Sequence, residues 1–299
     1  MRRVRALAAL ALALAACGPT RIPPPAAPAT TPARPEDAIP GDLDVVVRVD
    51  LRRMRAALGE AVLAGLARGA RGDGDARLLD RALERTDTAW FAFRPALTLE
   101  TLDSVVVLEG KFADLEPRAL GAWGPPAELG AGWRVYERKG AARRPEPVRL
   151  YARTDALLVL VSTAEIDAVT RSLEEAAGDP HPEPPARGVV SLAARVPALA
   201  ALIAERSPKA ARLLRSARTL SASVRFDESG LSAELAFVFD EAETARRVAA
   251  AATLLARAVA EQGGREGAMA ERCRVEAVGE SMVVRLRLSP EELGALVAP

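Results

Sequence analysis

Proline restricts this chain more than any other residue. The sequence has 22 prolines, and they are unevenly spread: eight lie between Pro19 and Pro40, and four between Pro180 and Pro185. Proline fixes φ and has no backbone N–H, so helix interiors and central strands exclude it. Neither stretch can belong to a packed core. The folded chain is therefore expected in two units, residues 41–178 and 188–299, with 179–187 as a linker between them. The remainder of residues 18–40 is mainly Ala and Thr, a composition that favours an extended polyproline conformation. At about 3.1 Å per residue such a tether reaches roughly 70 Å.

The first sixteen residues have a different character. Arg2, Arg3 and Arg5 make a basic start, Ala6 to Ala16 is an unbroken run of Ala and Leu, and Cys17 follows. A basic start, a short apolar core and small residues before the cut describe a secretory signal peptide. The run has eleven residues, whereas a helix needs about twenty to span a bilayer. Leu14-Ala15-Ala16-Cys17 resembles the lipobox of bacterial lipoproteins. The resemblance covers only residues 1–18. It implies cleavage between Ala16 and Cys17, a diacylglycerol on the Cys17 sulfur, and acylation of the new amino group. Several acyl chains hold a protein firmly where one holds it marginally. In that family an Asp after the cysteine retains the protein at the inner membrane; Gly18 stands there instead, which implies outer-membrane sorting. The expected partners are the membrane, through this anchor, and proteins of the envelope.

Within the folded region Val45, Val47 and Val49 share one face of a strand, and a helix follows with Leu51, Met54, Leu58, Val62 and Leu66. A glycine-rich break and a second helix through Leu78, Leu79 and Leu83 come next. Strands are expected near 88–94, 104–112, 133–138, 148–153 and 156–161, then a helix over 163–177. Beyond the linker a similar order recurs: strand 188–195, helical stretch 196–217, strands 219–226 and 231–239, helix 240–262, strands 273–278 and 282–288, and a last helix. Leu231, Ala233, Leu235, Phe237 and Phe239 alternate, and Asp227-Glu228-Ser229-Gly230 supplies a hairpin turn. The two halves end alike: residues 157–166 align without a gap to residues 284–293, each a strand entering Ser-x-x-Glu and an apolar helix. That spacing is a capping box. The expected fold is α+β: two tandem related units, each a mainly antiparallel sheet with helices packed on one face.

The chemistry is bounded mostly by exclusion. His181 is the sole histidine and sits in the proline-rich linker, where a Ser-His-Asp or Cys-His arrangement has no rigid support. Cys273 is the only side-chain thiol left once Cys17 is lipidated, so no internal disulfide forms and no zinc ligand set assembles. Arg272 and Arg274 flank it, which raises the alternative of a reactive thiolate. No P-loop, dinucleotide or Gly-x-Ser-x-Gly signature stands at a strand–helix junction. No catalytic residue, metal or cofactor is assigned. Formal net charge is +1, with acids balancing the arginines throughout, which disfavours nucleic acid as a partner. A carboxylate pair acting on a polymer stays open as an alternative, since it needs only two acids across a cleft. For recognition, Trp123 and Trp133 bracket a Gly/Pro-rich stretch, with Tyr136 and Tyr151 shortly after. Aromatics on loops are enriched at binding sites, so these four form the candidate recognition surface.

Overall fold

Strands 1, 2, 3 and 7 read as near-continuous apolar runs (Val45-Val46-Val47, Ala89-Trp90-Phe91-Ala92-Phe93, Val105-Val106-Val107-Leu108, Leu157 to Val161). Such runs belong in a sheet covered on both sides, because side chains alternate between the two faces. The computed structural model describes residues 34–59, 76–95, 103–120, 123–130, 132–140, 147–153, 156–175 and 180–292. Ala16, Cys17 and the tether up to residue 33 lie outside the described residues; its last part, 34–40, is described and does not stay extended, since Pro35–Ala38 form a 3-10 turn and Ala38 and Ile39 are buried in the core of the first unit. The chain divides into two compact units, residues 2–182 and 183–299.

The first unit is built on β1 (Val45–Asp50), β2 (Thr86–Phe93), β3 (Ser104–Gly110), β4 (Ala127–Gly130), β5 (Trp133–Glu137), β6 (Arg149–Arg153) and β7 (Leu157–Val161). They run β1-β2-β3-β7-β6-β5-β4, with every neighbouring pair antiparallel. Among the described residues three helices accompany them: α1 (Leu51–Leu58), α2 (Ala76–Arg85) and α3 (Ile166–Glu175). On one sheet face Val46, Trp90, Val107, Val159 and Tyr151 form a core with Ile166, Val169 and Leu173 of α3 and with Ala38 and Ile39. The opposite face is equally buried, through Val45, Phe91, Val106, Leu108, Leu150, Leu158 and Leu160. The expectation of one covered face therefore fails for this unit. Its strands are apolar at both parities, and water on either side would strip away burial worth about 25 cal/mol per Å².

Local signals place the joints. The Asp50 side chain accepts a hydrogen bond from Arg53 N at 2.9 Å, capping α1 where β1 ends. Gly110 ends β3 against the carbonyl oxygen of Arg85: a Cβ there would stand 2.1 Å from that oxygen, so glycine is required by space.

The second unit contains β8 (Val190–Arg195), α4 (Val196–Arg206), α5 (Pro208–Leu214), β9 (Ala217–Asp227), β10 (Gly230–Phe239), α6 (Ala242–Glu261), α7 (Gly264–Glu271), β11 (Cys273–Val278) and β12 (Ser281–Leu288). Its strands run β11-β12-β10-β9-β8, again antiparallel throughout. Phe237, Phe239 and Met282 pack with Val196, Leu213, Leu214, Ala245, Val248 and Ala249, so α4, α5 and α6 meet on one sheet face. The single helix expected over 196–217 is broken at Ser207, whose φ of −153° and ψ of 91° are extended. Pro208 disfavours the helical region in the residue before it and opens α5 as its first residue, with Ser207 Oγ accepting from Ala210 N at 3.3 Å. α7 has no counterpart in the sequence expectations. Residues 263–272 stand between the expected helix 240–262 and strand 273–278 with no element assigned; Gly267 lets α7 approach α6, since a Cβ there would lie 3.0 Å from the Ala260 oxygen. No helix among the described residues is long and apolar enough to cross a membrane.

Candidate functional site

The aromatic quartet is interior. Trp123, Tyr136 and Tyr151 have no exposed surface and Trp133 has 1%. β5 explains most of this, because it sends Trp133 and Val135 to one face and Tyr136 to the other, and both faces are covered. Trp123 bridges Arg138 just beyond that strand. Tyr151 Oη lies 2.6 Å from Thr170 Oγ1 on α3 and accepts from Arg149 Nη1 at 3.3 Å. The Arg153 guanidinium stacks 5.8 Å from the Trp133 ring centre. Trp133 and Tyr151 hold β5 and β6 to α3, while Tyr136 is buried on the opposite face. They do not form a recognition surface: the Gly/Pro-rich stretch that suggested one is flanked by strand residues whose rings turn inward.

The densest chemistry in the first unit surrounds Arg94, at the end of β2. Its guanidinium pairs with Glu165, with Asp42 and, at 3.5 Å, with Asp103. Four separate segments thus meet at one cation. The Glu165 side chain is only 1% exposed, while Asp42 and Asp103 are 65% and 38% exposed. Burial pushes the Glu165 carboxyl above the usual carboxylate range, and Arg94 opposes the shift through a hydrogen bond and its charge. A buried acid with raised pKa can serve as a general acid. Here its Oε1 is taken by Arg94 and the Glu165 side chain is almost wholly buried, so the arrangement works as a clamp. Among the described residues no group of three or more His, Cys, Asp or Glu could hold a metal ion.

The same corner shows how the Ser-x-x-Glu signature is used. At the second site Glu292 N donates to Ser289 Oγ at 3.3 Å and Ser289 N donates to Glu292 Oε2 at 2.8 Å, a complete capping box. At the first site Ser162 Oγ accepts instead from Ser104 N at 3.0 Å, and Glu165 turns to Arg94. Glu165 is visible in sequence only as a helix cap. Its pairing with Arg94, 71 positions away, carries no local signal.

Cys273 begins β11 and its thiol is pushed up by burial, away from the reactive thiolate. Arg272 and Arg274 flank it along the strand, where successive side chains point to opposite faces, and Arg272 pairs with Glu292. His181 has its Nδ1 3.0 Å from the Pro182 carbonyl oxygen and joins no catalytic group.

The second unit offers an outward-facing polar network. Arg285 bridges Glu234 at 2.8 Å and Glu276 at 2.7 Å across three neighbouring strands. Close by in sequence stand all the exposed large apolar side chains of the described residues: Leu254 and Leu255 on α6, Met269 on α7 and Val278 on β11. Sequence reasoning did not single these out, since they are scattered within elements whose other apolar positions are internal.

No protein-family model and no curated protein matches the chain. Solved structures of TP0453 do match. Crystal form I superposes with a TM-score of 0.52 at 12% identity, covering 88% of this chain and 96% of that one. Crystal form III gives 0.51 at 11% identity, covering 89% and 98%. The likeness is one of fold and extends over most of both chains. The α+β architecture of a large antiparallel sheet with helices is therefore shared.

Proposed function

We propose that this chain is a lipid-anchored protein of the bacterial envelope whose folded part binds or assembles and does not catalyse. The observation that carries the reading is Leu14-Ala15-Ala16-Cys17 behind a basic start and an eleven-residue apolar run. Gly18 points to the outer membrane, facing the periplasm, and the proline-rich tether holds the folded part off the lipid. In the strongest ion cluster of the first unit the buried acid, Glu165, is engaged by Arg94, which supports a binding role over a carboxylate-dependent hydrolase.

The two units descend, in this reading, from one duplicated ancestor. Among the described residues both run strand, two helices, then two antiparallel neighbouring strands, with the last strand of each unit beside the second of that pair and its own preceding strand outside. A Ser-x-x-Glu segment follows the last strand in each. The first unit adds the β4–β5 hairpin where the second has α6 and α7.

Metabolic labelling with fatty acid tests the anchor. The wild-type chain should incorporate label, and Cys17→Ser should lose it and accumulate uncleaved or soluble; label retained by Cys17→Ser overturns the anchor. Crosslinking in the native membrane followed by pull-down should recover an envelope protein complex. Turnover of an envelope polymer by the purified chain, abolished by a single Asp or Glu substitution, would instead establish the hydrolase.

A further inference from the structure

β11 is the terminal strand of the second unit's sheet, and among the described residues no strand pairs with its outer edge. The register shows which ones. Phe239 N donates to the Glu280 oxygen at 2.9 Å, so Glu280 faces β10 and Ser281 faces β11. The pairs Val278↔Ser281, Glu276↔Val283 and Arg274↔Arg285 then carry the β11–β12 hydrogen bonds. The N–H and C=O groups of Cys273, Val275 and Ala277 are left on the open side. An unpaired edge is a template for another strand.

The side chains on that edge say which strand fits. Arg274 and Arg285 stand directly opposite each other, and Arg285 takes both nearby carboxylates, Glu234 and Glu276. Arg274 is left with no ion pair among the described residues. Charges on an edge strand ordinarily discourage pairing. Arg274 and Glu276 are of opposite sign and two residues apart, so a two-fold axis through Val275 brings each Arg274 opposite the Glu276 of a second copy. The same axis sets Val275 against Val275 and Cys273 against Ala277, apolar on apolar. The edge is complementary to itself, as an isologous contact requires. The exposed apolar residues of α6, α7 and β11 sit on the elements nearest this edge. We infer that β11 pairs antiparallel with β11 of a second copy of this chain, joining two second-unit sheets edge to edge.

Charge mixing tests this in the full chain carrying Cys17→Ser, so that lipid cannot associate the copies. Sedimentation velocity should show a concentration-dependent dimer. Arg274→Glu places glutamates opposite each other twice, and Glu276→Arg places arginines so; each should weaken the dimer by about tenfold or more. Mixing the two variants restores both Arg–Glu pairs and should restore the dimer, an effect that mere misfolding of either cannot produce. Ala277→Cys supplies an independent readout. Directly opposed hydrogen-bonded residues lie about 5.5 Å apart between Cα atoms, within disulfide reach. Mild oxidation should therefore link Cys273 of one copy to the introduced thiol of the other, while the parent chain, with Cys273 as its only thiol, stays unlinked. A chain that sediments as a monomer up to roughly 0.1 mM, or a mixture no more dimeric than its components, overturns the inference.

Discussion

Replacing Arg94 with Met should destabilise the first unit at neutral pH and do so less as the pH falls. The side chain keeps its length and apolar stem, so the main loss is the charge that faces Glu165. Removing one partner of a buried ion pair costs about 3–5 kcal/mol, because the other charge stays buried alone. Arg94 is itself 32% exposed, and water reaches the site from its side, so a loss at or just below the bottom of that range, about 2–3 kcal/mol, is expected. The pH dependence follows from the sign of the Glu165 shift. Burial raises its pKa in the folded chain, and Arg94 is what holds the rise in check. A carboxyl with a raised folded pKa binds its proton more tightly folded than unfolded, so its ionised form burdens the fold above that pKa. The burden lifts as the pH falls through the folded value toward the unfolded one, about 4.3 for glutamate. Without Arg94 the rise is larger, the burden at pH 7 is heavier, and acid relieves more of it. Urea unfolding of Arg94→Met and wild type at about pH 7 and pH 5 measures this directly. The difference between the two proteins should shrink by at least about 1 kcal/mol on acidification. Adding Glu165→Met should recover most of the loss at pH 7, since no buried charge remains. A loss that is independent of pH, or unchanged by Glu165→Met, would show that Arg94 acts through packing and that the clamp reasoning is wrong.

Two further substitutions read the joints of the fold. Gly110→Ala drives a methyl to 2.1 Å from the backbone oxygen of Arg85; the strands must part, and a loss of about 2–4 kcal/mol is expected by chemical denaturation, against roughly 1 kcal/mol or less for an unhindered glycine site. Ser289→Ala and Ser162→Ala separate the two uses of one motif. The first removes a helix cap and should cost about 1 kcal/mol. The second leaves Ser104 N without an acceptor in a buried position and should cost about 1–3 kcal/mol. Equal small losses in thermal or urea unfolding would argue that Ser162 is only a cap.

Period-two alternation made the second unit readable. Leu231 to Phe239 declared β10, and Asp227 with Ser229 and Gly230 declared the turn, where Ser229 N now donates to Asp227 Oδ1 at 2.8 Å and Gly230 takes a φ of 115°. The long apolar helix α6 was equally plain. What escaped was decided by neighbours in space. α7 drew no expectation because glycines weaken helix propensity along the chain, while the use of Gly267 is the close passage of α7 by α6. Trp133 and Tyr136 looked like a binding surface because they sit near glycine and proline, while a strand between two covered faces buries both. The continuous apolar runs of β2, β3 and β7 did announce that double covering, and the expectation of one helical face passed over it. The Arg94 clamp had no sequence signature at all: it depends on a strand end, a helix start and two loops meeting at one point.

Five strands of each unit run in a matching order, β1-β2-β3-β7-β6 and β8-β9-β10-β12-β11, yet the units differ in what they leave exposed. In the first, both sheet faces and the aromatic side chains are internal, and Arg94 draws its carboxylates to itself. In the second, one face carries the helical core and the other is polar, Arg274 has charge left over, and β11 presents an open backbone edge beside exposed leucines, methionine and valine. Burial of that kind in the first unit stabilises the chain but presents little for recognition. The open edge does the reverse, since it leaves hydrogen-bonding groups that another strand can satisfy better than loosely held water. An edge contact of a few strand residues is weak by itself. A lipid on each copy would confine both to one plane and raise their effective concentration, which is how a modest contact becomes a persistent one. The proposed anchor and the inferred edge contact would thus be complementary, the one supplying proximity and the other register.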